Sequence, residues 1–273
     1  MLEQSADIIH RAISELKPYA ILAMVSGGTD SLTAYMVAHQ LNIPLDGFVH
    51  IVTGTGIPET TQWVRAWAEQ QPYSYHEVNA GNAYEDYVLR KGFFGRGHIA
   101  HTYAYHLLKA DPYRKLISRQ FRQRKRGRRV LLINGARSAE SENRMFKLAG
   151  LDVQQEKKGS PNYWVNIIRN WTANDCLQYL GNMGVKRNPV AEVLHRSAEC
   201  MCGTMQSAEE RREATFWFPK WGTWLDNLEQ RVMCEFPWRW GCEMPKSYAQ
   251  EKQGQIPLPG FQPMCSSCKI NKE

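Results

Sequence analysis

The sequence predicts an α/β fold: a doubly wound, mostly parallel sheet followed by a small cysteine-rich C-terminal subdomain. Three observations predict it. A short apolar run, Ile21 to Val25, passes through a glycine turn into the helical pattern Leu32, Tyr35, Met36, Ala38, Leu41. The alternation repeats in the run Gly47 to Val52 and the helical pattern Trp63, Val64, Trp67, Ala68, and alternating strands and helices cover a parallel sheet on both faces. Cysteines then cluster in two close pairs, Cys200-Met-Cys202 and Cys265-Ser-Ser-Cys268. The expected division is a sheet domain over residues 1–190 and a cysteine-rich tail over 191–273.

Taken in order, residues 2–17 read as an amphipathic helix with Ile8, Ile9, Ile13 and Leu16 on one face, ended by Lys17-Pro18. The strand ending at Val25 and its helix come next, then a turn at Asn42-Ile-Pro-Leu-Asp46. The second strand, Gly47 to Val52, enters the loop 53–60, and Thr60 or Thr61 is expected to cap the following helix. Tyr73 to Val78 reads as a third strand and Tyr84 to Leu89 as the start of a helix. A glycine-rich loop, 92–98, carries Arg96 and His98, and His101, Tyr105 and Lys109 follow at mostly helical spacing. This is read as a polar helix face before a metal site, with phosphate contact from Arg96, His98 or Lys109 between the two. Val130-Leu-Leu-Ile-Asn134 is a clear strand, and Trp164 to Ile168 one more. Thr172, with Asp175 three residues on, signals a capped helix that carries Cys176 on its apolar side.

Composition narrows the class. A chain of 273 residues, 43% hydrophobic and 22% charged, holds one large globular domain with room for an appendage. It shows no apolar run of membrane-spanning length, and its start carries Glu3 and Asp7 rather than a basic leader. The expectation is a cytoplasmic protein with no membrane partner. The net charge is +7, yet Arg114, Lys115, Arg119, Arg122, Arg124, Lys125, Arg126, Arg128 and Arg129 fall in one stretch without an acid. The rest of the chain is therefore slightly acidic, and a concentrated cationic stretch in such a body predicts a polyanionic partner, a nucleic acid. Seven cysteines is an odd number, which points to metal or redox ligands before a disulfide framework.

The glycine turn has a chemical use. Ser26, Gly27, Gly28, Thr29, Asp30 and Ser31 stand where backbone N–H groups and a helix N-terminus hold an anion. Ser26 and Ser31 add hydroxyls. Asp30 would repel a phosphate unless a cation such as Mg²⁺ sits between them. At the end of the strand 130–134, Arg137 could neutralise phosphate or sulfate, with Glu140 orienting it.

Ser-Gly-Gly-Thr-Asp-Ser resembles the PP-loop of the ATP pyrophosphatases, which grips the pyrophosphate of ATP while the α-phosphorus is attacked. It lacks the Gly-Lys-Ser/Thr of a Walker A loop and the Gly-x-Gly-x-x-Gly of a Rossmann fingerprint. With the loop 53–60, the block Gly135-Ala-Arg137-Ser-Ala-Glu140-Ser141-Glu-Asn-Arg144, and Trp171, Asp175, Tyr179 and Asn188-Pro189, the chain resembles the PAPS reductase-like branch of that superfamily. The resemblance implies an adenine nucleotide α-hydrolase-like fold, with Ser26, Gly27, Gly28, Thr29, Asp30, Ser31, Thr53, Gly54 and Arg137 binding ATP and Mg²⁺, and Asp30, Ser31 and Arg137 carrying the chemistry. Two departures from the sulfonucleotide reductases favour ATP: the loop is complete, and the tail lacks a Glu-Cys-Gly-x-His motif. A third cuts the other way, since Val52 stands where the family often has Asp before Thr-Gly.

Cys-x-x-Cys spacing suits two thiolates on one metal centre. The tail looks similar to that of the reductases that bind APS, with one residue inserted in the first pair. This implies Cys200, Cys202, Cys265 and Cys268 around a 4Fe-4S cluster, with structural zinc as the alternative. Cys176 reads as a buried, unliganded thiol, and Cys234 and Cys242 stay open as ligands or sulfur carriers. The tryptophans between the pairs read as packing before base stacking. The function implied is adenylation of a nucleic acid for sulfur incorporation. It resembles most the ATP-pyrophosphatase component of DNA phosphorothioation systems, which works with a cysteine desulfurase and other pathway proteins. A tRNA thiolase and a PAPS or APS reductase are the alternatives, and a homodimer is the family's frequent assembly.

Overall fold

The computed structural model describes residues 1–122, 127–140 and 150–245. Six strands form one sheet in the order β3-β2-β1-β4-β6-β5. They are β1 (Ala20–Met24), β2 (Gly47–Val52), β3 (Tyr75–Asn79), β4 (Val130–Ile133), β5 (Val153–Gln155) and β6 (Asn162–Val165). All pairings are parallel except β5 with β6. The chain winds outward from β1 in both directions, so the strand order reverses beside β1, where ligands of such sheets bind.

Period-two alternation decides which core each residue enters. Ile21 and Ala23 of β1, Leu131 and Ile133 of β4 and Val165 of β6 face one core. That core is covered by α1 (Leu2–Leu16), α2 (Thr29–Gln40) and α7 (Ala173–Asn182). Ala20, Leu22, Val130 and Leu132 face the other, with Ala110, Tyr113 and Ile117. Those three belong to one long helical stretch: α5 (His98–Tyr105) and α6 (Asp111–Leu116), continued by π turns at His106–Ala110 and Ile117–Phe121. The first half of the basic stretch is thus helix packed on the sheet.

A third core draws on both sides of residue 190. Ile57, Tyr84, Val88 and Phe93 pack with Trp221, Leu225, Trp238 and Trp240. These come from α3 (Pro58–Ala68), α4 (Ala83–Lys91) and the later α8 (Pro189–Leu194), α9 (Ala208–Trp217) and α10 (Pro219–Met233) with their connections. Trp221, Trp238 and Trp240 act as packing groups, as expected, and Trp224 packs partly buried against them, whereas Trp217 is about half exposed. Trp221, Trp238 and Trp240 are buried and donate indole N–H groups to the carbonyls of Thr55, Phe93 and Met201.

Two local expectations are corrected. Neither Thr60 nor Thr61 caps α3. Pro58 opens that helix after Ile57, because its fixed φ and missing N–H suit the first position, and Thr60 turns inward to donate to the Ser197 carbonyl. The strand at 164–168 begins earlier, at Asn162, and stops at Val165, because the chain then turns back, with the Arg169 N–H on the Asn166 carbonyl at 3.1 Å. The polar strand β5 is an addition to the sequence reading. The capping box is present: the Thr172 hydroxyl accepts the Asp175 N–H, and Asp175 accepts the Thr172 N–H. Among the described residues no helix is long and apolar enough to cross a membrane.

Candidate nucleotide site

The loop 26–31 joins β1 to α2 at the carboxyl edge of the sheet. Gly27 takes φ +79, a conformation open to glycine at little cost. Ser31 staples the loop from within. Its hydroxyl accepts the Ser26 N–H at 3.1 Å and donates to the Gly28 carbonyl at 3.0 Å. Beside the loop lies an open cleft of about 700 Å³. Ser26, Gly28, Thr29, Asp30 and Ser31 line it from one side, and Asn134, Gly135, Ala136 and Arg137 at the end of β4 from the other. Gly135 lies against the loop so closely that a Cβ there would stand 2.5 Å from the Asp30 carbonyl carbon.

Charge in the cleft is mainly positive. Arg137, 7% exposed, pairs with Asp30 at 2.9 Å from Nε to Oδ1, as an ion pair rather than an aligned hydrogen bond. Burial works against the Arg137 charge, but Asp30 more than offsets it and holds the guanidinium above its ordinary range. Glu140 meets Arg137 through the backbone, accepting its N–H at 3.1 Å. Lys109, Arg187 and Arg196 also line the cleft. Arg187 reaches the Thr29 hydroxyl at 3.2 Å, and Arg196 is held by Glu210 and Glu213. In the sequence Lys109 stands out only as one of three candidates, and Arg187 and Arg196 not at all. Arg187 stands directly before Asn188-Pro189, the one signal that could have found it. Arg96 and His98 are absent from the cleft wall.

Thr53 and Gly54 sit at the same sheet edge but outside the cleft wall. Thr53 is 1% exposed and donates its hydroxyl to the Glu199 carbonyl at 2.7 Å. The loop 53–60 is a bed for the segment 197–202. The Ile57 N–H bonds to the Ala198 carbonyl at 2.9 Å, and the Met201 N–H bonds to Thr55 Oγ1 at 3.0 Å. His50 lies buried below, bonded to the Val25 carbonyl and to Thr61, and burial holds it below its ordinary pKa.

The segment carries Cys200 and Cys202, whose thiols interact. Their interaction, with burial, raises the Cys200 pKa; the same interaction lowers that of Cys202. Cys202 also lies 3.2 Å from Thr204 Oγ1. Two adjacent thiols suit one soft metal centre. Among the described residues no group of three or more His, Cys, Asp or Glu is arranged to hold a metal ion, and Cys265 and Cys268 lie outside those residues. Cys234 and Cys242 are exposed. Cys176 is fully buried and its pKa is pushed up to about 12, chiefly by burial.

Residues 20–205 match the phosphoadenosine phosphosulfate reductase domain. The chain belongs to this PAPS reductase domain family. Among solved structures, the fold is similar to that of phosphoadenylyl-sulfate (PAPS) reductase from Candida auris in its phosphate complex. The TM-score is 0.50 and the identity 15%, over 69% of this chain and 83% of that one. No curated protein matches the chain. The region shared with the family contains the whole cleft and ends just beyond the Cys200–Cys202 pair.

The basic stretch divides on inspection. Arg114 pairs with Glu156 at 2.7 Å, Arg128 stacks 3.8 Å over the Tyr19 ring, and Arg129 donates to the Leu16 carbonyl at 2.9 Å. Lys115 and Arg119 line a groove of about 400 Å³ beside the end of β3. Arg124, Lys125 and Arg126 lie outside the described residues.

Proposed function

We propose that this chain is an ATP pyrophosphatase that adenylates a nucleic acid for sulfur incorporation, with DNA phosphorothioation the favoured setting. The observation that carries the reading is Asp30: a carboxylate in the wall of a mainly cationic cleft, on a complete PP-loop sequence. An acid at that place disfavours a bare anion and suits a metal-chelated triphosphate. Asp30 would hold Mg²⁺, which supplies charge neutralisation on the phosphates when bound. Loop amides and Ser26 would hold the pyrophosphate, and Arg137 would balance charge on the α-phosphate. An oxygen of the substrate attacks the α-phosphorus, its bond to the bridging oxygen breaks, and pyrophosphate leaves. A persulfide sulfur then attacks the activated centre and AMP leaves, and a second thiol attacks the S–S bond, so that the sulfur stays on the substrate as the two thiols become a disulfide. Lys115 and Arg119 are the described cations best placed to meet a phosphodiester backbone. A cysteine desulfurase as sulfur source, and a cluster on Cys200, Cys202, Cys265 and Cys268, belong to the same reading.

A second reading, reduction of PAPS or APS to sulfite, is favoured by the family to which residues 20–205 belong. The two separate in one experiment on anaerobically purified protein. ATP with Mg²⁺, with and without DNA, is assayed for pyrophosphate; PAPS and APS, with thioredoxin or glutathione, are assayed for sulfite. Pyrophosphate without sulfite supports the first reading, and sulfite without pyrophosphate replaces it with the second. Stimulation by RNA rather than DNA moves the substrate to tRNA thiolation.

A further inference from the structure

A small cavity adjoins the cleft and carries a carboxylate oxygen without a hydrogen-bond partner among the described residues. It measures about 150 Å³ and is walled by Met24, Val49, Tyr105, Tyr113 and Trp164, with Lys109 and Glu199 as its charged groups. Met24, Ser26, Tyr105, Lys109 and Trp164 line both spaces, so the cavity opens next to the loop 26–31.

The Glu199 side chain is only 3% exposed, and its Oε2 accepts from Lys109 Nζ at 2.7 Å. Its Oε1 is buried and has no hydrogen-bond partner among the described residues. An ionised carboxylate can only accept, and a buried acceptor left unpaired costs free energy. The Lys109 ammonium lies against it at 2.7 Å. One of its three N–H donors meets Glu199, which leaves donor capacity beside the unpaired oxygen. The backbone around the carboxylate is fixed by the Thr53 hydroxyl and the Ile57 N–H. The cavity therefore offers an acceptor and a donor side by side between aromatic walls.

We propose that the Lys109–Glu199 pair reads the base of the nucleotide whose phosphates lie on the loop 26–31. Glu199 Oε1 accepts an exocyclic N–H of a 6-aminopurine, and Lys109 donates to a neighbouring ring nitrogen. The proposal rests on the ATP-binding reading above. It also gives Thr53 a role, as the group that positions Glu199 from outside the cleft.

The test is equilibrium binding of three ligands to the full chain with Mg²⁺: ATP, GTP, and purine riboside triphosphate, which keeps the purine rings but lacks the amino group. ATP should bind on the order of ten- to a hundredfold more tightly than purine riboside triphosphate, the range expected for one hydrogen bond to a buried charge, and more tightly than GTP. In the double variant K109M/E199M, which replaces the ion pair by apolar groups, the ratio of ATP to purine riboside triphosphate affinity should fall to about one. Equal affinities in the wild-type chain would overturn the base-reading role and leave nucleotide binding intact. Tighter GTP binding would overturn the aminopurine assignment. Failure of all three to bind would overturn the nucleotide reading itself.

Discussion

Arg137 Nε stands 2.9 Å from Asp30 Oδ1, tying the end of β4 to the PP-loop that follows β1. The guanidinium is nearly buried, whereas the carboxylate is one-quarter exposed. Removing the arginine thus leaves Asp30 in reach of water, whereas removing the aspartate leaves a buried cation. Arg137→Ala should lower stability by about 1 kcal/mol and weaken ATP binding at least tenfold. Arg137→Lys should restore part of the stability and little of the binding, because an ammonium lacks the forked geometry. Thermal unfolding and equilibrium titration with ATP read the two effects separately.

Gly135 and Gly181 make a matched pair. A Cβ at Gly135 meets the backbone of Asp30 and Ser31 at 2.5–2.6 Å, whereas one at Gly181 meets nothing within 4 Å. Gly135→Ala must push the loop away, and should cost about 1–3 kcal/mol while reducing nucleotide affinity. Gly181→Ala, in the last turns of α7, should stabilise by about 0.5–1 kcal/mol. Denaturant melts of the two variants should therefore move in opposite directions.

Glu156 anchors the basic helix to the sheet edge. It accepts from Tyr113, from Arg114 at 2.7 Å, and from Ser160 and Asn162 at 3.0 Å. Burial tends to raise its pKa, but the bonds from Tyr113 and Arg114 prevail and hold it below the ordinary carboxylate range. A depressed native pKa adds stability that is complete above the unfolded value and lost as pH falls through the native one. Acid unfolding below about pH 4.5 should therefore be shallower in Glu156→Gln. At pH 7 the variant should be less stable by about 2–3 kcal/mol, as read by denaturant melts across the pH series.

Lys115 and Arg119 provide the test of the polyanion surface. Replacing both by alanine should weaken DNA binding and reduce the slope of log affinity against log salt by about 2. Replacing Arg128, which stacks on Tyr19, should alter the slope far less. Equal changes for the two sets would place the contact elsewhere in the stretch.

Much of this fold is legible because its signals are local. The run before Val25, the glycine turn, the strand Gly47–Val52 and the Thr172 capping box each lie within a few residues. The hidden parts depend on partners far away in sequence. β5 is a three-residue polar edge strand, Val153–Gln155, defined by its pairing with β6. Thr60 looks like a cap until Pro58 starts the helix and Ser197 supplies an acceptor. Lys109 and Glu199 are 90 positions apart, and nothing near either residue announces the other. Thr53 donates its hydroxyl to the carbonyl of Glu199, 146 positions away and beside the cavity.

Pyrophosphate release from ATP and Mg²⁺, with and without DNA, in the wild-type chain and in Asp30→Ala separates adenylation from reduction. The wild type should release pyrophosphate, and the variant should fall by at least about a hundredfold while still folded by circular dichroism. Release that survives loss of Asp30 unchanged, or sulfite production from PAPS in place of pyrophosphate from ATP, would contradict the adenylation reading.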